Sequence, residues 1–149
     1  MFATNIQTLN RARAACLACA VGLVGCNQSG YKLAPVRGTV TIDGKLIKSG
    51  KVMFSPVAHG DNLNPGKPAF GMLRLDGSYV LTTYADNDGA VVGKHWVTVI
   101  NSEDNMPRGV PEFARVTAPE QRTVLGGMDN QIDIELTRED VLKYRLDDN

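Results

Sequence analysis

The sequence predicts an all-β protein: a seven-stranded antiparallel β-sandwich followed by a short C-terminal helix. Three observations support this fold class. Apolar residues recur at every second position through most of residues 36–136, which is the period of strands with one buried face. Asp-Gly and Gly-Gly pairs separate these stretches, as hairpin turns require. No helical period of apolar residues appears before residue 137.

The first four predicted strands lie in the stretches VRGTVTID, GKVMFSP, PAFGMLRL and SYVLTTY. Asp43-Gly44 and Asp76-Gly77 are hairpin signals, because both residue types accept the positive φ that such turns need. The residues that share a face in each strand are Val36, Gly38, Val40 and Ile42, then Val52 and Phe54, then Gly71, Leu73 and Leu75, then Tyr79, Leu81 and Thr83.

The last three predicted strands are GKHWVTVI, RTVL and QIDIEL. A turn around Gly126-Gly127 separates the last two. Ile132, Ile134 and Leu136 share a face of the final strand. Each of these strands can therefore turn an apolar side towards a common core.

Trp96 is the single tryptophan, and alternation places it on the opposite face from Val97 and Val99. If those valines face the core, Trp96 faces outward, where an indole can stack on a sugar or anchor a protein partner. The alternative is that the C-terminal helix or the loop of residues 101–119 covers the indole. We expect the covered arrangement.

The C-terminal tail carries a predicted helix. Thr137 and Asp140 have the spacing of a capping box, and Leu142 and Leu146 lie four residues apart beside Val141. A helix of about ten residues is marginal alone. We therefore expect it to dock by this apolar face on the domain's own sheet, with a hook for a partner as the alternative.

The N-terminal stretch has the pattern of a secretory signal. Arg11 and Arg13 precede 11 uncharged, mostly apolar residues, and no acidic residue appears before Asp43. As a helix this run would span about 16 Å, too short for a hydrocarbon core of about 30 Å. The segment therefore reads as a removed signal rather than a membrane span.

A lipidation motif ends this signal. Leu23, Val24, Gly25 and Cys26 resemble the bacterial lipobox, in which the cysteine thiol takes a diacylglyceryl group and the chain is cut before it. Two or three acyl chains would suffice for stable anchoring. Cleavage by ordinary signal peptidase after Ala20 is the alternative.

The expected organisation has four parts. A removed signal peptide covers residues 1–25, a lipid-anchored tether 26–35, the β-sandwich 36–136 and the helical tail 137–149. The expected location is the cell envelope, lipid-anchored and facing the periplasm or the exterior. In enteric lipoproteins an Asp after the cysteine resembles an inner-membrane retention signal, so Asn27 at this position favours the outer membrane.

Composition narrows the function classes. Removing 25 of the 149 residues leaves 124, which fits one domain, and losing Arg11 and Arg13 changes the net charge from 0 to −2. Cys26 would be the only cysteine left, so we expect no disulfide. No basic patch stands out, so we expect no nucleic-acid partner. We also expect no metal and no cofactor.

The histidine and aspartate residues that could take part in catalysis or metal binding do not form an evident catalytic group. His59 and His95 are the two histidines, and neither accompanies a nucleophile motif. Asp86 and Asp88 resemble the start of a calcium loop, but no later acidic residue completes it. We expect a turn there and no catalytic site.

Two stretches carry a family resemblance. VRGTVTIDGKLIKSGKVMFSP and LDGSYVLTTYADNDGAVVGKHWVTV are similar to the two halves of carboxypeptidase-regulatory-like domains. Together with the lipobox, they resemble the small surface lipoproteins of planctomycete bacteria. The matching residues are Val36, Gly38, Val40, Asp43, Gly44, Gly50, Val52, Phe54, Asp76, Gly77, Tyr79, Leu81, Thr83, Asp88, Gly89, Ala90, Gly93, Val97 and Val99.

This resemblance implies a transthyretin-like (prealbumin-like) sandwich without catalysis or a defined ligand. His95 departs from the pattern, which usually has Tyr there. One transthyretin-like enzyme is 5-hydroxyisourate hydrolase, and Tyr144-Arg145 resembles part of its Tyr-Arg-Gly-Ser ending. Leu146 and Asp147 follow instead.

The sequence thus predicts a lipid-anchored envelope lipoprotein whose non-catalytic β-sandwich is a structural or binding accessory module. One alternative is a carbohydrate-binding surface module that uses Trp96. The other is a hydrolase of the hydroxyisourate type. The expected partners are the membrane, through lipid on Cys26, and an envelope protein or glycan.

Overall fold

The computed structural model describes residues 30–60, 63–102 and 107–146. The described residues form mostly β-sheet with one short helix, so the all-β prediction is confirmed. The count of seven strands is not confirmed, because many strands are short. The strands are β1 Leu33–Ala34, β2 Val36–Ile42, β3 Lys45–Leu46, β4 Lys51–Pro56, β5 Ala69–Met72, β6 Ser78–Val80, β7 Ala90–Val91, β8 Gly93–Ile100, β9 Arg115–Thr117, β10 Arg122–Val124, β11 Asn130–Gln131, β12 Ile134–Leu136 and β13 Arg145–Leu146.

One sheet is built around β8. Its order is β13-β9-β8-β4-β5, and β10 also pairs with β8. All these pairings are antiparallel. His95, Val97 and Val99 turn inward from β8 and are completely buried, as the period of two predicts.

The other main sheet is built around β2, and it corrects the expectation of a purely antiparallel fold. β3 and β6 pair with β2 antiparallel, whereas β11 and β12 pair with it parallel. Ile134, for example, lies opposite Val40. The alternation of apolar residues marks which face of a strand is buried, but it does not determine the direction of the neighbouring strand.

The core lies between the two sheets. Phe54 from β4 and Tyr79 from β6 pack with ring centroids 6.1 Å apart. Phe70 and Thr82 join the sheets at one edge through two backbone hydrogen bonds of 2.9 Å. The other large side chains that are completely buried are Ile42, Ile47, Leu81, Ile134, Val36, Val40, Val52, Val97 and Val99.

The folded part begins inside the expected tether. β1 pairs with β7, with Leu33 opposite Val91 and Ala34 opposite Ala90. Ala34 is buried in the core. The domain therefore starts before the expected boundary at Val36.

The C-terminal helix, α1, covers Arg138–Tyr144, and its capping box is confirmed. The Thr137 hydroxyl accepts a bond from the Asp140 amide, and the Asp140 carboxylate accepts one from the Thr137 amide. The helix packs on the domain's own core, as expected, through Val141, which is completely buried. The expected contribution of Leu142 and Leu146 is wrong, because both are about half exposed. The helix ends at Tyr144, so Leu146 lies in extended β13 and does not continue the helical spacing.

Candidate functional site

Trp96 is the largest side chain on the outer face of β8, and it is 44% exposed. It lies between the part of β8 that pairs with β10 and the part that pairs with β9. The small Ser55 lies opposite it on β4. The expectation that the helix or the loop covers the indole is therefore wrong.

The outer face beside Trp96 mixes apolar and hydroxyl groups. Met53 lies opposite both Thr98 and Phe70 across the sheet. The Thr98 and Thr117 hydroxyls lie within hydrogen-bond distance of each other, at 3.1 Å. The Lys51 ammonium lies 5.7 Å from the centroid of the Phe70 ring. Such a surface offers contacts to an amphipathic ligand.

A cleft of about 510 Å³ opens at the end of β8 that follows β7. We call it the β8 cleft. Its volume is in the range typical of ligand sites. The side chains that matter for its chemistry are Tyr31, Lys32, His59 and Lys94. The Val57 amide donates to the Lys94 carbonyl (2.8 Å), which holds the segment after β4 against β8.

Lys94 connects the cleft to Trp96. Both side chains are exposed on the same face of β8, two residues apart. Two residues of extended strand span about 7 Å. Lys94 therefore lines the cleft and also neighbours the exposed indole on the outer face of β8.

Tyr31 forms a fixed aromatic wall of the cleft. Its ring is nearly parallel to that of Tyr84, with an interplanar angle of 7° and centroids 6.4 Å apart. Its hydroxyl donates to the Asn64 carbonyl at 3.1 Å. The neighbouring Lys32 is held by its carbonyl, which accepts a bond from the Val92 amide (2.8 Å).

The charge of the cleft has one sign. Lys32 and Lys94 are the charged side chains among the described lining residues, and no described carboxylate lines it with them. Neither lysine has a described carboxylate within ion-pair distance. The described lining of the cleft is therefore positively charged.

The two histidines lie in different environments. His59 lines the β8 cleft and is exposed. The His95 imidazole is completely buried, and its Nε2 donates to the Val91 carbonyl (2.6 Å), because a carbonyl can only accept. Burial lowers the pKa of His95, and the bond to Val91 opposes this in part. His95 thus belongs to the core, while Tyr144 and Arg145 lie outside the cleft in α1 and β13.

The Asp86–Asp88 segment is a turn, as expected. The Asp88 carboxylate accepts three backbone bonds, from Thr83 (2.7 Å), Tyr84 (2.9 Å) and Ala85 (2.8 Å). Within residues 30–60, 63–102 and 107–146 there is no group of three or more His, Cys, Asp or Glu side chains placed to hold a metal.

The lipobox residues lie outside the described residues, so Leu23, Val24, Gly25 and Cys26 stay a sequence prediction. In the part of the chain that is described, no helix combines the length and the apolar character needed to cross a membrane.

Sequence reasoning identified Trp96 and placed Lys94 and Thr98 beside it, but it missed Tyr31 and Lys32, which line the cleft. Lys94 precedes Trp96 by two residues, so alternation places it on the same face as the indole, as the structure has it. Tyr31 and Lys32 fall in the expected tether. Their approach depends on the pairing of β1 with β7, for which the sequence has no signal.

No family model and no curated protein matches the chain. Among solved structures, it is similar to the crystal structure of a proposed carbohydrate binding protein from Pseudomonas aeruginosa. The two share 14% sequence identity with a TM-score of 0.42, over 72% of this chain and 89% of the other. Similarity this low transfers neither a ligand nor an activity.

Proposed function

We propose that this chain is a lipid-anchored envelope protein whose β-sandwich is a non-catalytic module that binds carbohydrate. The observation that carries the ligand class is the exposure of Trp96, 44%, on a central strand beside an open cleft. An indole gives a flat apolar surface for the C–H face of a sugar ring. A strand paired on both sides fixes that surface, so little conformational entropy is lost on binding.

The non-catalytic part of the proposal is supported by the positions of the histidines. Nucleophilic catalysis needs a base within hydrogen-bond reach of the nucleophile. His95 is buried with Nε2 bonded to a backbone carbonyl, while His59 lies in the cleft. The two imidazoles therefore do not form a shared acid–base pair.

The ligand class can be tested on a glycan array with the full-length chain in a mild nonionic detergent. We expect wild type to bind a subset of glycans and Trp96→Ala to weaken that binding by about tenfold or more, since truncating a central aromatic contact costs more than about 1 kcal/mol. Trp96→Phe should retain part of the binding.

Met72→Ala is the matched control, because Met72 is 67% exposed on the same outer face of the sheet. This variant should bind as wild type does. Absence of glycan binding by wild type, or equal loss in the Trp96 and Met72 variants, would contradict the proposal.

The anchor rests on the lipobox and needs its own experiment. In a bacterium with lipoprotein processing, we expect the purified chain to start at Cys26, to carry the mass of the acyl chains, and to sediment with membranes. Cys26→Ala should move it to the supernatant. An unmodified chain that starts at Val21 would show that Cys26 is not the anchor.

A further inference from the structure

We infer that the β8 cleft selects acidic glycans, with a sugar carboxylate bound at Lys94 and Lys32 while a neighbouring sugar stacks on Trp96. This inference rests on the proposed carbohydrate-binding function and specifies its ligand. The two lysines line the cleft, and Trp96 lies two residues from Lys94 on the same exposed face of β8.

The charge of the cleft is local rather than a property of the whole chain. The full sequence has 16 basic and 16 acidic residues, so its net charge is 0. Against that balance, the described lining of the cleft has Lys32 and Lys94 and no carboxylate. A sugar carboxylate could form charge-assisted hydrogen bonds with these ammonium groups, which a neutral glycan cannot do.

The spacing also suits a chain of sugars. Lys94 and Trp96 project from the same face of β8, about 7 Å apart along the strand. A sugar ring stacked on the indole would therefore place the substituents of the next ring near the Lys94 ammonium.

Tyr31 extends this arrangement into the cleft. Its contacts with Tyr84 and Asn64 hold the ring before any ligand binds. The cleft volume of about 510 Å³ leaves room for a short oligosaccharide beside Tyr31 and His59. The imidazole of His59 supplies a polar group for sugar hydroxyls.

The test compares acidic polymers with uncharged counterparts of the same backbone. The probes are polygalacturonate, alginate and hyaluronate, each beside its methyl-esterified form, measured against the full-length chain in nonionic detergent. We expect at least one acidic polymer to bind about tenfold more tightly than its ester. Its binding should weaken as ionic strength rises from about 0.05 to about 0.5 M, because exposed charges are screened.

Two variants locate the effect. Lys94→Gln should remove most of the preference for the acid over the ester while binding of the ester persists. Lys48→Gln is the control, because Lys48 is also exposed but lines a different part of the surface. Circular dichroism of both variants should match wild type.

Three outcomes would overturn the inference. Equal binding of acid and ester that is lost in Trp96→Ala would leave the carbohydrate function standing and remove the acidic specificity. Displacement of the polymer by vesicles of phosphatidylglycerol, dependent on Lys94, would identify a lipid headgroup as the occupant. Failure of wild type to bind any glycan, acidic or neutral, would remove the carbohydrate function itself.

Discussion

The Tyr79 hydroxyl donates a hydrogen bond to the Ile132 carbonyl, and the two groups meet across Gly38 of β2. Tyr79 lies on β6, on one side of β2, while Ile132 lies between β11 and β12 on the other. A Cβ at Gly38 would lie 1.9 Å from the Ile132 oxygen. Burial raises the pKa of Tyr79, so its hydroxyl stays a donor.

Gly38→Ala should therefore destabilise the domain by about 3 kcal/mol or more, because the new methyl group meets backbone rather than a movable side chain. Tyr79→Phe should cost about 1–3 kcal/mol through the lost bond. Urea unfolding measures both. Gly30→Ala is the control, since nothing lies within 4 Å of its added Cβ. Equal midpoints for the two glycine variants would contradict this account.

The docking of α1 depends on Val141 rather than on Leu142. Val141 is completely buried, whereas Leu142 is 54% exposed. We expect Val141→Ala to lower the free energy of unfolding by about 2 kcal/mol and Leu142→Ala to change it by less than about 0.5 kcal/mol. Thermal and urea unfolding of the two variants measure these changes. A larger loss of stability in Leu142→Ala than in Val141→Ala would support the docking face predicted from the sequence.

His95 should make the domain less stable in mild acid. Its folded-state pKa lies below the ordinary value of 6.5. As pH falls below about 6.5, the unfolded chain binds a proton that the folded chain resists, so stability is full above that pH and decreases below it. The urea midpoint should fall between about pH 7 and pH 5 in wild type, and fall less in His95→Gln.

Two further points allow the pH dependence to be assigned to His95 rather than to another titratable group. His59→Gln keeps His95 and should retain the wild-type slope. Asp76 and Asp140 have pKa values lowered from 3.8 by hydrogen bonds to Ser78 and to Thr137, respectively, so they titrate below the tested window. An equal slope in wild type and His95→Gln would show that the buried imidazole is not the titrating group.

The turn at residues 83–88 should depend on Asp88. Asp88→Ala removes the acceptor of three backbone amides and should cost on the order of 2 kcal/mol. Asp86→Ala changes an exposed neighbour and should have little effect. Addition of calcium should leave the melting temperature of wild type unchanged. A calcium-dependent increase would support a metal loop instead.

The alternation of apolar residues predicted most of the core faces, but Leu75, which it placed with Leu73, is 82% exposed because β5 ends at Met72. Val36, Val40 and Ile42 are all buried along β2, and Asp43 and Gly44 have the positive φ of the predicted turn. These features depend on residues close together in sequence. The parallel pairing of β2 with β12 depends on strands far apart in the chain, so local pattern could not predict it.

At the candidate site, too, local pattern predicted the face on which a residue lies but not its contacts with distant segments. Alternation placed Trp96 on the outer face, but its exposure depends on the small Ser55 opposite it and on where β9 begins. Lys32 reaches the cleft only because β1 pairs with β7. Coverage of a side chain by distant segments has no periodic signal in the sequence, so the cleft could not be predicted.

The parallel neighbour of β2 has a consequence for the order of folding. Thr39 and Asp133, which meet through a 2.8 Å hydrogen bond beside this pairing, are 94 residues apart in the chain. The long loop between these two residues must close before the contacts that offset its entropy loss can form. We therefore expect the domain to fold slowly. Until β12 pairs with it, β2 keeps an unpaired edge open to other chains. The sheet around β2 can therefore be completed only once residues 134–136 are available to pair with it.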